Sequence, residues 1–204
     1  MNRIKTKLAY YSFGSFLLSL GITLSIFSNL GAGAFDALNS NFSNLINISI
    51  GNAMYISIIL VYIMTMILRP KAIYFIGLLL TFLVGFGIDT WSQIIPDIGD
   101  TMGLRFMYFT ASLILLPLGV TFIIKSKLPL SPMDNLLVIV VDKSKWSIAL
   151  IKTLLEISYV LIALIYGISA GIGIGAISVG TVLITFGIGP GIAFFMKYVR
   201  DIAD

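Results

Sequence analysis

LGITLSIFSNLGAGAFDAL, residues 20–38, returns as LGVTFIIKSKLPLSPMDNL at residues 118–136. One ungapped offset of 98 aligns eight identities in nineteen positions: Leu20/Leu118, Gly21/Gly119, Thr23/Thr121, Ile26/Ile124, Ser28/Ser126, Leu30/Leu128, Asp36/Asp134 and Leu38/Leu136. A composition this biased gives roughly two by chance, so the chain carries a duplicated half. Each half holds three apolar stretches of membrane-spanning length, and three is odd. The second copy therefore enters the membrane from the opposite side, the sequence pattern of inverted-repeat transporters.

With 204 residues, 58% hydrophobic and 11% charged, the chain lies far from soluble domains, in which about a quarter of residues carry charge. It reads as an integral membrane protein. The net charge of +4 does not point to nucleic acid, because the basic residues punctuate apolar runs instead of clustering on a polar face. Without Cys or His there is no disulfide, thiolate chemistry, His metal site or imidazole acid–base work, and no metal or cofactor is expected. Ionisable chemistry inside the membrane falls to Asp, Glu or Lys.

Hydropathy places six spans near the ~20 residues that cross a ~30 Å hydrocarbon core, at 8–27, 51–68, 72–95, 104–124, 147–169 and 174–196. Eleven of the thirteen basic residues then share one side: Arg3, Lys5 and Lys7; Arg69 and Lys71; Lys125, Lys127, Lys143 and Lys145; Lys197 and Arg200. The opposite loops hold Asp36, Asp97, Asp100 and Arg105, while Lys152 lies within span five near its basic end. By the positive-inside rule both termini are cytoplasmic. The basic start and Ala32-Gly33-Ala34 imitate a signal peptide, but the apolar run exceeds the usual 7–15 residues and the segment recurs at 118–136, so an uncleaved first span is expected. The reading is one membrane domain, 1–204, with repeats at about 8–96 and 104–196.

After spans one and four the chain breaks and starts a new helix. In the second copy Ser131 suits the N-cap, Pro132 the first helical position and Asp134 the third; Gly33 and Asp36 hold the same places in the first. The helix after Gly33 is amphipathic, with Phe35, Leu38, Phe42, Leu45 and Ile46 on one face and Asn39, Ser40, Ser43, Asn44 and Asn47 largely on the other. Two readings fit the aspartates. Each carboxylate can satisfy the free N–H groups of its own helix start. Alternatively, both helices are re-entrant or broken elements meeting near the midplane, with Asp36 and Asp134 binding a cation, proton or basic group. Asn41-Phe42-Ser43 and Asn47-Ile48-Ser49 match the glycosylation pattern, to which no function is attached.

Within the spans, Glu156 sits halfway along span five, where an ionised side chain costs about 2.5 kcal/mol or more. It is read either as an ion pair with Lys152 one turn earlier or as a coupling carboxylate. Asp89, in the outer half of span three beside Trp91, is either an interfacial acid or a further binding candidate. Ser12, Ser15 and Ser19, the series Gly167, Gly171 and Gly175, and the pair Gly187 and Gly191 are small-residue stripes that let helices approach. The run from Gly171 to Gly175 can also leave the helix where protein or water lines it.

LGAGAFDALN, the following ISIGNA, LPLSPMDNL and GIGIGAISVGTVLITFGIGPGI together resemble the YczE-like, YitT-related bacterial integral membrane proteins. The resemblance covers nearly the whole chain. It implies a multi-pass protein of the bacterial cytoplasmic membrane, in a group whose molecular activity is largely unassigned. It supplies no substrate and no catalytic residues.

The expectation is therefore an all-α membrane protein of six transmembrane helices in two inverted three-helix repeats. Its expected function is a small-solute or ion transporter or exporter using Asp36, Asp134 and Glu156, and not an enzyme, since no nucleophile, phosphate loop or metal cluster is present. The alternative is a non-transporting accessory or regulatory protein that binds a membrane partner through its glycine-lined faces and amphipathic outer segment; the small-residue stripes would also serve a homodimer.

Overall fold

The computed structural model describes residues 2–96, 99 and 101–201, so Asp97 and Asp100 of the expected outer loop lie outside the described residues. These residues form eight helices and no strand: α1 (Asn2–Phe27), α2 (Ala34–Ile46), α3 (Ile50–Leu68), α4 (Ile73–Ile94), α5 (Met102–Lys125), α6 (Pro132–Ser144), α7 (Ile148–Ser169) and α8 (Val179–Phe195). Arg3, Lys5 and Lys7 lie inside α1, not before it. Five helices, α1, α3, α4, α5 and α7, are long and apolar enough to cross a membrane.

The duplication reaches into the backbone. α2 and α6 are both 13 residues long and begin 98 positions apart, as do α3 and α7. Left-handed residues recur at the same offset, Asn29 (φ 53°) with Lys127 (φ 54°) and Asn47 (φ 55°) with Lys145 (φ 63°). Ser49 and Ser147 cap α3 and α7 alike, each side chain accepting an N–H three residues on, from Asn52 and Leu150.

Buried polar residues share the interior with an apolar core that includes Ile22, Ile58, Ile88, Leu116 and Ile184, while large apolar side chains also cover the outside. Ser19, Thr23, Ser25, Thr65, Ser112 and Thr121 are buried, while Phe75, Phe86, Leu161 and Phe186 are exposed. A bilayer makes this arrangement favourable, because outward apolar side chains meet lipid and polar groups must find partners within the protein. Three of the buried hydroxyls do so locally, Thr23 donating to Ser19 O, Thr65 to Val61 O and Thr121 to Pro117 O, whereas Ser15 Oγ is buried without a partner. α2 follows the same rule, burying Asn39, Ser40, Asn41 and Ser43 and turning Ile46 outward.

At the centre α1 crosses α5, where small residues bring the backbones together. A Cβ on Gly14 would lie 2.8 Å from Gly119 O, and one on Gly21 would lie 3.1 Å from Leu116 N. Ser15 and Ser19 of the expected serine stripe are buried in this core, whereas Ser12 is exposed. α4 flanks α1 and α8 flanks α5. The helices that follow the breaks are exchanged between halves: α2 packs on α7 and α6 on α3.

The last expected span, 174–196, needs correction. α7 closes in a Schellman turn, with Ile172 N bonded to Gly167 O and Gly171 N to Ile168 O. Gly171, Gly173 and Gly175 all take left-handed backbones (φ 73°, 67° and 56°), so α8 starts only at Val179 and has 17 residues. Gly171 and Gly175 are thereby removed from the helical stripe expected with Gly167.

Candidate functional site

The first break is held open by the start of α8. Ala32 N–H donates to Ala176 O and Gly180 N–H to Leu30 O, so the unwound backbone finds partners within the protein. Gly31, at φ 120°, passes so close that a Cβ would sit 2.6 Å from Thr181 N. α2 then starts with Gly33 as N-cap and Asp36 in its first turn. The carboxylate bends back over Gly33, where a Cβ would lie 2.8 Å from Asp36 Oδ2. It thus lies at the positive end of its own helix.

Asp36 shares a pocket of about 110 Å³ with Lys152 and Glu156 of α7 and Thr185 of α8. Lys152, Glu156 and Thr185 also line a larger cleft of about 510 Å³ between α7 and α8, walled by Ile157, Leu161, Val182 and Phe186. The two spaces adjoin through these shared side chains, which places Asp36 and Glu156 at one end of a mainly apolar cleft. Lys152 and Glu156 are one helical turn apart, yet no ion pair within 4.0 Å joins them among the described residues. Lys152 therefore attenuates the negative charge of the pocket without sealing it.

Asp134 is engaged differently. Ser131 Oγ donates to its Oδ2 at 2.7 Å and accepts from its backbone N–H at 3.2 Å, completing the capping pattern read from the sequence. Its neighbour Met133 accepts from Tyr159 Oη at 3.7 Å, and the Tyr159 ring meets Phe35 edge-on at 5.4 Å. Residues adjacent to both aspartates thus touch one tyrosine of α7, three positions beyond Glu156. Asp134 itself does not line the cleft.

Asp89 belongs elsewhere. It accepts from Ser49 Oγ and from Gly51 N–H, both at 2.7 Å, and so caps α3 from α4. Gly51 and Gly85 make the approach possible: a Cβ on Gly51 would overlap Gly85 O, and one on Gly85 would overlap the Tyr55 ring. Tyr55 Oη donates to Phe82 O at 3.1 Å and adds an edge-on ring contact with Phe82. Gly191 packs on Pro117 of α5, whereas Gly187 faces open space.

Asn41 is the structural residue that sequence reading missed. It is fully buried; its Nδ2 donates to Ala163 O (2.8 Å) and Ile174 O (3.2 Å), and its Oδ1 accepts from Ala176 N–H (3.0 Å). Gly167 and Gly175 lack side chains because Asn41 occupies the space, Gly175 lying in direct contact with it. Asn41 also borders a second cleft of about 450 Å³ with Asn29, Ser40 and Asn44. The glycosylation pattern includes this asparagine, but the side chain is fully buried. The useful signal was a polar side chain in a helix too polar to span.

Residues 5–197 match DUF6198, described as a family of unknown function. The uncharacterized protein YyaS of Bacillus subtilis (strain 168) is 34% identical over 170 residues, covering 82% of this chain and 84% of the relative. The uncharacterized membrane protein YczE of the same organism is 25% identical over 173 residues, covering 82% and 77%. No solved structure matches. The helices and these relatives make the chain a multi-pass membrane protein, in agreement with the YczE-like resemblance of its motifs.

Proposed function

Because the chain belongs to the DUF6198 family, whose function is unknown, we propose a function from its own geometry: it carries a small solute or ion across the bilayer. The observation behind this reading is that Asp36 and Glu156, far apart in sequence, line one pocket with Lys152 at the end of the α7–α8 cleft. A carboxylate held in a membrane interior is costly and marks a path for ions or polar groups. Asp36 and Glu156 contact the solute, Lys152 tunes their charge, and Asp134 acts on its own helix end.

In this proposal the chain is one membrane domain of two inverted repeats. α8 is the sixth span, both termini are cytoplasmic, and the membrane is the bacterial plasma membrane. At 1.5 Å per residue the 17 residues of α8 reach about 26 Å, and the turns at 170–178 supply the remainder. A reporter fused after Asp100 should report the outer side; a cytoplasmic signal would remove the inverted arrangement.

The functional test is flux in proteoliposomes, guided by a thermal-stability screen against ions, amines, amino acids, organic acids and nucleosides. A ligand stabilises the form it binds by mass action. Asp36→Asn and Glu156→Gln should stay folded and lose both ligand response and flux. Unchanged flux in both variants would sink the assignment. A silent wild type that co-purifies with one stoichiometric membrane protein would replace the carrier by an accessory protein.

A further inference from the structure

The cleft between α7 and α8 opens sideways. α3 packs along α4, but the corresponding pair α7 and α8 does not close: α7 rests on α2 and α6, and α8 on α5. The mouth side chains Leu161, Val182 and Phe186 lie on the outer, apolar surface that faces lipid, at 56%, 56% and 70% exposure. From that mouth the lining changes inward to Thr181 and Thr185 and then to Glu156 and Asp36. Two carboxyl groups and one ammonium, those of Asp36, Glu156 and Lys152, stand together at the inner end. The path thus runs from an apolar, outward-facing opening to an end lined by carboxyl groups, with no inorganic-ion cage of converging oxygens along it; among the described residues no group of three metal-ligating side chains occurs.

From this gradient we infer that the occupant is an amphipathic organic monocation, an amine or quaternary ammonium on an apolar body, which enters laterally from the bilayer. The apolar body lies between Leu161, Val182 and Phe186, and the cationic head reaches Glu156 and Asp36. A ligand of this shape satisfies both ends of the cleft: burying its body removes apolar surface from water or lipid headgroups, and its charge meets its complement where the dielectric is low. An anion would meet the wrong sign, and a compact hydrated cation would have to shed water along an apolar wall. The inference rests on the carrier reading of the same cleft and adds its substrate class and route.

The probe is tritiated tetraphenylphosphonium, bound to the full-length protein in neutral detergent. Competitors are hexadecyltrimethylammonium, tetramethylammonium, hexadecanol and hexadecyl sulfate. One saturable site per chain is expected, displaced by hexadecyltrimethylammonium at least tenfold better than by each of the other three. Glu156→Gln and Asp36→Asn should each weaken binding tenfold or more. A Cβ on Gly189, which lines the cleft, meets nothing within 4 Å, so Gly189→Trp can fill the mouth without backbone overlap and should abolish binding at unchanged thermal stability. Should the wild type ignore these cations while a water-soluble solute is carried in an Asp36-dependent way, the substrate class and the lateral route are wrong and the carrier reading stands. Flux unaffected by Asp36→Asn and Glu156→Gln removes the carrier reading itself. If the wild type binds no cation and is a dimer that Gly189→Trp splits, the cleft is a protein interface and the inference is overturned.

Discussion

The pair α3 and α4 and the pair α7 and α8 hold matching places in the two halves of the chain, yet the first is shut and the second stands open. α3 and α7 keep the same start and the same serine cap, at Ser49 and Ser147. What differs is what the helices present to their neighbours. Gly51 lets α4 approach and Asp89 accepts the N–H of that glycine, whereas the equivalent position in α7 is Ala149 and α8 carries no acid. Tyr55, which bridges to Phe82, is matched by Thr153, which bonds its own helix at Ala149 O. The lesson is that a membrane protein can make a cavity by omission: where one half spends a carboxylate on closing two helices, the other leaves its carboxylate, Glu156, at the edge of the gap.

The sharpest way to break this comparison is to put one side chain at the two equivalent positions. Gly51→Leu must displace the α4 backbone, and overpacking of this kind costs about 3 kcal/mol or more. Ala149→Leu extends into the cleft and should stay within about 0.5 kcal/mol, as surface changes do. Thermal unfolding midpoints in detergent compare the two directly; equal losses would mean that the α7–α8 gap is closed.

A second test exchanges the roles of the acids. Asp89→Asn weakens two charge-assisted hydrogen bonds and should lower stability by about 1.5–3 kcal/mol, with ligand response retained. Glu156→Gln should do the reverse, with stability kept or raised and ligand response lost. A parallel thermal-stability and flux assay separates them, and a stability loss in Glu156→Gln would assign that carboxylate a structural part.

Asn41 sharpens the contrast from inside. Its repeat equivalent is Ile139, also fully buried, so one half packs with a methyl group where the other ties down a turn. Asn41→Ala leaves buried carbonyl and N–H groups unpaired and should cost about 1–3 kcal/mol, with faster hydrogen exchange at 174–176 and little change in α3. The smallest effect expected is that of Lys152→Gln, below about 0.5 kcal/mol because no ion pair is lost. Its readout is a shift in ligand affinity.

Local chemistry was legible from the sequence. Ser131, Pro132 and Asp134 fixed the start of α6, and the offset of 98 carried that start back to α2. The late start of α8 was hidden because a hydropathy window averages over glycines whose left-handed backbones are set residue by residue. Glu156 was recognisable as costly and Asp36 as a helix-start or binding carboxylate, but their meeting depends on α2 crossing to the other half. No pattern within one helix records that crossing. The role of Asn41 was invisible for the same reason, since its partners lie more than 120 positions away.

That crossing also dictates an order of assembly. As the nascent chain leaves the ribosome, α2 arrives with Asn39, Asn41 and Ser43, all of which it later buries, while α7, its support, has yet to be synthesised. Asn41 finds its partners, at Ala163, Ile174 and Ala176, only once the second half has been made. Two separately expressed halves would therefore be expected to mature as a complementing pair, each serving as the other's chaperone, and neither as a free-standing bundle.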